Sequence, residues 1–234
     1  MTYIRSFLFL IFITLWTLFI GLTGPFTILT RKQKIVAYVG WVWAYIVIQG
    51  LRLICGVKTK VVNAHLIPKD GCIVASKHQS AWETIFFLQY FFNPAFVLKK
   101  ELQRIPIYGW YLPVLEMISI DRKGGVSIIK QMSQAAIKAF ANGRNIIIFP
   151  EGTRVAVGQS IEYKSGIAAL HKELPKIKIL PAALNSGKVW PRKSWLIRSG
   201  TITVKFLPPV TKPMTKEQLL KKLKEEIDSA TNSL

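Results

Sequence analysis

Acidic residues are scarce in this chain, and none occurs before Asp70. Twelve Asp and Glu stand against 32 Lys and Arg, a formal net charge of +20 over 234 residues. The excess calls for a polyanionic partner: nucleic acid, an anionic membrane surface or a phosphorylated substrate. Cysteine is nearly missing. Cys55 and Cys72 are too few for a disulfide framework, so both are read as reduced thiols in a cytoplasmic environment. There is no C-x-x-C pair and no H-E-x-x-H, which leaves a metal site without local support, and no cofactor is expected. Internal repeats and low-complexity tracts are absent too, and the one clear boundary falls near Val57.

Charge is also missing locally. Residues 6–30 carry none, residues 35–51 carry none, and Arg31, Lys32 and Lys34 lie between the two runs. Half of the chain is hydrophobic, and the apolar N-terminus selects a membrane over nucleic acid as the polyanionic partner. Two spanning helices would put the basic cluster outside, against the tendency of positive loops to stay cytoplasmic. Gly21, Gly24 and Pro25 are expected to end or kink the first helix. A helix over 6–20 would be about 22 Å long, short of a hydrocarbon core of roughly 30 Å. The reading is therefore a helical hairpin in residues 1–57 that dips into one leaflet of an anionic bilayer. Ordinary spanning helices are the alternative. A cleaved signal peptide is a further one, although no A-x-A-like site follows.

After Gly56, short apolar runs alternate with amphipathic stretches. Strands are expected at 58–62, 72–75, 95–98, 117–120, 145–149, 177–182 and 201–206. Helices are expected at 81–92, 101–112, 126–142, 164–173 and 216–230. The last opens on Thr215-x-x-Gln218, a capping-box pattern, with Leu219, Leu220, Leu223 and Ile227 on one face. Such alternation argues for an α/β fold, a mostly parallel sheet flanked by helices, over residues 58–234.

Two stretches could carry chemistry. Ser76-Lys77-His78-Gln79-Ser80-Ala81-Trp82-Glu83-Thr84 follows a buried-looking strand and opens a helix. His78 thus sits at a strand's C-terminal end, where open α/β sheets place ligands. It can serve as a general base, with Glu83 fixing its tautomer and stabilising the imidazolium. Ser80-x-x-Glu83 is equally a capping box, and one carboxylate can do both. In Phe149-Pro150-Glu151-Gly152-Thr153-Arg154, Pro and Gly make a tight turn. Arg154 on that turn suits bidentate phosphate binding, and a plain solvated turn is the alternative. Two further stretches are ordinary in isolation. One, running from Lys99, Lys100 and Arg104 through Pro106 and Gly109 to Ile120-Asp121-Arg122, is a basic helix start. The other, Leu180-Pro181-Ala182-Ala183, is an apolar strand holding a proline.

In this order, the four stretches resemble the motifs of the glycerolipid acyltransferase family: an H-x-x-x-x-D motif, a basic block leading to I-D-R, an intact F-P-E-G-T-R block and a proline-bearing strand. The likeness runs from about Val57 to Pro209, and the N-terminal helical pair looks like the family's membrane anchor. Glu83 stands where the family usually has Asp, one methylene shorter, and Val155 where a Ser often follows the Arg. The resemblance implies transfer of an acyl group from acyl-coenzyme A or acyl-acyl-carrier protein to the sn-2 hydroxyl of 1-acylglycerol 3-phosphate (lysophosphatidic acid), giving phosphatidic acid. By the same resemblance His78 is the base and Glu83 its support. Lys100, Arg104 and Arg154 bind the phosphate, while Glu151, Gly152 and Thr153 shape the site. It also implies a catalytic domain on the cytoplasmic face of a bacterial inner membrane, with no nucleic-acid partner. Another lysolipid (a lyso-ornithine lipid) or glycerol 3-phosphate is the alternative acceptor, and a non-catalytic protein that binds anionic membranes is the rival of a different class.

Overall fold

The computed structural model describes residues 1–121 and 126–234; Arg122 of the I-D-R match lies outside them. Two long apolar helices come first, α1 (Thr2–Leu29) and α2 (Gln33–Cys55). Gly56 then takes φ 70°, a left-handed cap that turns the chain into the first strand. The helices cross closely: a Cβ on Gly50 would lie 2.3 Å from the Phe12 ring. Their indoles are satisfied across the pair, Trp16 Nε1 donating to Trp43 O at 3.3 Å and Trp43 Nε1 to Thr17 Oγ1 at 3.1 Å. Buried indoles need such partners.

α1 differs from expectation. It runs unbroken through Pro25 for 28 residues, about 42 Å at 1.5 Å per residue. Thr23 and Thr27 donate back to carbonyls three or four residues earlier. Gly21 and Gly24 do not end the helix. They admit Ile107 and Tyr111, whose atoms would meet added Cβ atoms at 2.9 and 2.8 Å. Both helices are long and apolar enough to cross a membrane, so the short-helix argument against spanning is overturned.

Seven strands follow: β1 (Val57–Val62), β2 (Ile73–Ser76), β3 (Ala95–Lys99), β4 (Ile118–Ile120), β5 (Ile146–Ile148), β6 (Ile179–Leu184) and β7 (Gly200–Phe206). They form one sheet in the order β1-β7-β6-β2-β5-β3-β4. Every pairing is parallel except β6–β7. β2, β5 and β6 are buried throughout, as central parallel strands covered on both faces must be. Alternate residues separate two cores. Cys72, Val74, Ile147 and Leu180 pack with α1, α2 and α3 (Trp82–Tyr90). Ile73, Ala75, Ile146, Ile148 and Ile179 pack with α5 (Val126–Ala141), α6 (Gly166–Glu173) and α8 (Lys216–Asn232). Leu219, Leu223 and Ile227 seat α8 with no exposure, and its Thr215–Gln218 capping box is complete.

The helix expected over 101–112 is instead a 3-10 turn, Lys100–Arg104, followed by the separate helix α4 (Tyr108–Val114). Pro106 lacks an N–H and disfavours helical backbone at Ile105, and Ile107 takes φ 67°. A short helix that periodicity did not reveal, α7 (Ser186–Val189), follows β6.

Candidate active site

Register assembles the site. In the sheet Ala75 of β2 lies beside Ile148 of β5 and Pro181 of β6. The three strands are parallel, so the segments leaving their C-terminal ends emerge side by side. The first brings His78, the second Glu151 and the third Ser186. Two backbone links join the first two segments. His78 N donates to Glu151 Oε2 at 2.7 Å, and Val155 N donates to His78 O at 2.7 Å.

Glu83, in the first turn of α3, is fully buried. Its Oε1 accepts from Gln79 N at 2.6 Å and Ser80 N at 2.7 Å, and lies 2.8 Å from His78 Nδ1. Its Oε2 accepts from Ser186 Oγ at 2.7 Å. The same carboxylate therefore caps the helix start and holds the histidine. The capping box itself is half formed, because Ser80 Oγ accepts from Trp82 N and not from Glu83 N. A carboxylate only accepts, so the neutral ring carries its proton on Nδ1 and leaves Nε2 as the basic nitrogen. Phe149 stacks on the imidazole, with centroids 4.0 Å apart and planes 15° apart, and fixes its tilt.

Glu151 has no exposure and points away from solvent, toward Lys77. Lys77 Nζ lies 2.7 Å from Glu151 Oε1 and donates to Asp228 Oδ1 of α8 at 2.8 Å. Burial pulls the Lys77 ammonium down, but Asp228 and Glu151 together hold it above the ordinary lysine value, so it stays charged.

A cavity of about 770 Å³ opens beside His78. Its lining mixes the cations Lys99, Arg154 and Lys164 and the turn residues Gly152 and Thr153 with apolar side chains such as Phe96, Leu98 and Met132. Arg154 and Thr153 are exposed, and Arg154 has no ion pair among the described residues. Lys100 and Arg104 are exposed on the 3-10 turn and do not line the cavity; Lys99, at the end of β3, does.

Sequence reasoning missed Lys77, Lys164, Ser186 and Asp228. The signals were faint: a lysine directly before the histidine, a Lys-Ser-Gly helix start, an Asn-Ser-Gly turn after a buried strand, and one of the four acids of α8.

A histidine–carboxylate pair at the C-terminal edge of a mostly parallel sheet, beside a cavity lined by cationic and apolar side chains, is a layout for activating the hydroxyl of an amphiphile. The chain belongs to the acyltransferase family, whose model matches residues 58–185. It is 40% identical over 169 residues to a 1-acyl-sn-glycerol-3-phosphate acyltransferase of Pseudomonas aeruginosa, covering 71% of this chain and 64% of that one. It is 27% identical to the Saccharomyces cerevisiae enzyme of the same name, covering 76% of this chain and 60% of that one. The chain thus spans less than two thirds of the length of both relatives. The crystal structure of the 1-acyl-sn-glycerophosphate (LPA) acyltransferase PlsC from Thermotoga maritima superposes with a TM-score of 0.75 at 25% identity. The match covers 100% of this chain and 97% of the other.

Proposed function

We propose that this chain transfers a fatty acyl group from acyl-coenzyme A or acyl-acyl-carrier protein to the sn-2 hydroxyl of 1-acylglycerol 3-phosphate, giving phosphatidic acid. The 2.8 Å contact between His78 Nδ1 and Glu83 Oε1, beside a cavity of mixed cationic and apolar lining, carries the reading. Its relatives named above act on the same acceptor by name. His78 Nε2 takes the proton of the acceptor hydroxyl as the oxygen attacks the thioester carbonyl, and Glu83 stabilises the imidazolium. The imidazolium then returns the proton to the departing thiolate, so the products are the ester and the free thiol of the carrier. Arg154, with Lys99 and Lys164, takes the acceptor's phosphate, which fixes the hydroxyl from a remote group. Lys100 and Arg104, outside the cavity, draw anionic headgroups toward its mouth.

The test is acyl transfer by purified protein in bilayer nanodiscs, from labelled acyl-coenzyme A and acyl-acyl-carrier protein, to lysophosphatidate, a lyso-ornithine lipid and glycerol 3-phosphate. Lysophosphatidate is expected to be preferred, and His78→Ala to lower turnover roughly 10³–10⁴-fold. Preference for a phosphate-free acceptor would overturn the acceptor, and a fully active His78→Ala the mechanism.

Residues 1–57 serve as a membrane anchor lying in one leaflet of the bacterial inner membrane, with residues 58–234 on the cytoplasmic side. Contacts at both ends of the helix pair support this. Ser6 Oγ accepts from Ile197 N at 2.9 Å near the start of α1, and Gln33 Nε2 donates to Leu115 O at 3.2 Å at the turn. A hairpin tip held on the same body as its base does not reach the far side of a bilayer. Cys55 and Cys72 are buried, so a cysteine placed at Gln33 can be labelled on a clean background. Modification from the periplasm in intact cells would establish spanning helices instead.

A further inference from the structure

α8 lies outside residues 58–185, the part that carries the family likeness. Yet it sends one side chain to the neighbourhood of His78. Asp228 Oδ1 accepts from Lys77 Nζ at 2.8 Å, and its Oδ2 accepts from Ser160 Oγ at 2.6 Å. Lys77 itself is 2% exposed, sits directly before His78 and is gripped on its other side by Glu151 at 2.7 Å. Glu151 in turn accepts the His78 backbone N–H. The chain of contacts is unbroken from the last helix to the backbone of the base.

We propose that Asp228 is a positioning residue for His78, acting through Lys77 and Glu151 and touching no substrate. The proposal rests on the acyl-transfer reading for its role in turnover, but not for its geometry. Three observations favour positioning over fastening of the helix. Leu219, Leu223 and Ile227 already seat α8 with no exposure. A buried ion pair adds little net stability compared with apolar side chains of the same volume, because desolvation offsets the attraction. And the ammonium needs two acceptors to be held in one place: with Glu151 alone, Lys77 and the turn that carries Glu151 could shift together. Asp228 ties both to a helix whose apolar face is fully buried against the sheet. Around the cluster, Lys224 lies 4.0 Å from Asp228 and 3.7 Å from Glu162. Tyr163 is buried near Asp228 and Glu151, and burial with those two charges pushes its phenol far up, so it stays neutral.

The experiment compares Asp228→Asn, which removes the charge at constant shape, with Asp228→Glu and with Leu220→Ala, which loosens the packing of α8 elsewhere. Each full-length variant is assayed in nanodiscs. Asp228→Asn is expected to lower kcat tenfold or more, with KM for donor and acceptor within about twofold, while Asp228→Glu recovers part of the loss. Leu220→Ala is expected to lower Tm and keep kcat. A second readout is independent of the reaction. The chain has three histidines, so protein labelled with ¹⁵N at histidine gives a His78 ring signal assignable by its loss in His78→Gln. That signal is expected to shift in Asp228→Asn and not in Leu220→Ala. Wild-type kcat with an unshifted ring in Asp228→Asn overturns the proposal, as does a kcat loss in both variants that follows Tm. If Asp228→Asn does not fold, Ser160→Ala, which frees the other carboxylate oxygen, is read by the same ring signal: a shift at unchanged Tm supports the proposal and no shift overturns it. Wild-type protein that acylates no acceptor would sink the functional reading, and the ring signal would still decide this one.

Discussion

Two fully buried glutamates flank His78 and are held in opposite ways. Glu83 meets two backbone amides, a serine hydroxyl and the imidazole, with no Lys or Arg in contact among the described residues. Glu151 has an ammonium at 2.7 Å and one backbone amide. The first carboxylate acts on the ring and leaves its own charge uncancelled, so it can stabilise a positive imidazolium. The second has its charge cancelled by Lys77 and acts on the backbone. On the proposed reading one carboxylate serves electrostatics and the other placement, and the difference lies in what surrounds each.

Removing the charge on the ring side should cost most. Glu83→Gln is expected to cut turnover by roughly 100-fold or more. The fold should tolerate it, because the Ser186 hydroxyl can rotate to accept from the new amide; the stability change should stay within about 1 kcal/mol by chemical denaturation. Normal turnover would make Glu83 a helix cap alone.

The turn that carries Glu151 should show itself in binding. Arg154→Ala is expected to lower kcat/KM for the acceptor by roughly 10- to 150-fold, the loss of a charge-assisted contact of about 1.5–3 kcal/mol, with the donor's KM unchanged. An unchanged dependence on acceptor concentration would return Arg154 to a solvated turn. Glu151→Gln sharpens the contrast directly. It leaves Lys77 one carboxylate short in a buried place, so Tm should fall more than in Glu83→Gln while kcat falls only about tenfold. The comparison breaks if Glu151→Gln matches Glu83→Gln in turnover at an undisturbed Tm. Last, Ser186→Ala removes one hydroxyl donor to the Glu83 carboxylate, about 1.5 kcal/mol or roughly tenfold in kcat, and should leave both KM values alone.

The strands were legible because the central ones are short apolar runs between turn signals and the β1–β7 pair is rich in Val, Thr and Ile, and all seven lie near their expected places. His78 and Glu83 were legible too, since five residues across a strand–helix junction bring them together locally. What escaped was set at a distance. Pro25 stays inside α1 because threonine hydroxyls and close packing at Gly21 and Gly24 support the helix there, which no local propensity records. Lys99 lines the cavity while Lys100 and Arg104 lie on a 3-10 turn where a longer helix was expected. Ser186 and Asp228 reach the site from 103 and 151 residues away in sequence, through sheet register and helix docking that spacing alone does not encode.

The edge of the sheet carries a different lesson, about how the molecule is made. β1 pairs only with β7, Val57 beside Gly200 through Val62 beside Lys205. While the chain leaves the ribosome, that strand lacks its β7 partner for roughly 140 residues, about 7–28 s at ordinary synthesis rates. α1 and α2 have already emerged by then, apolar and without the sheet they will pack against. If residues 1–57 anchor the chain as proposed, insertion into lipid precedes completion of the fold, and the bilayer shelters the young chain before the sheet closes. Delaying translation before β7 would lengthen the interval in which an open strand edge invites aggregation.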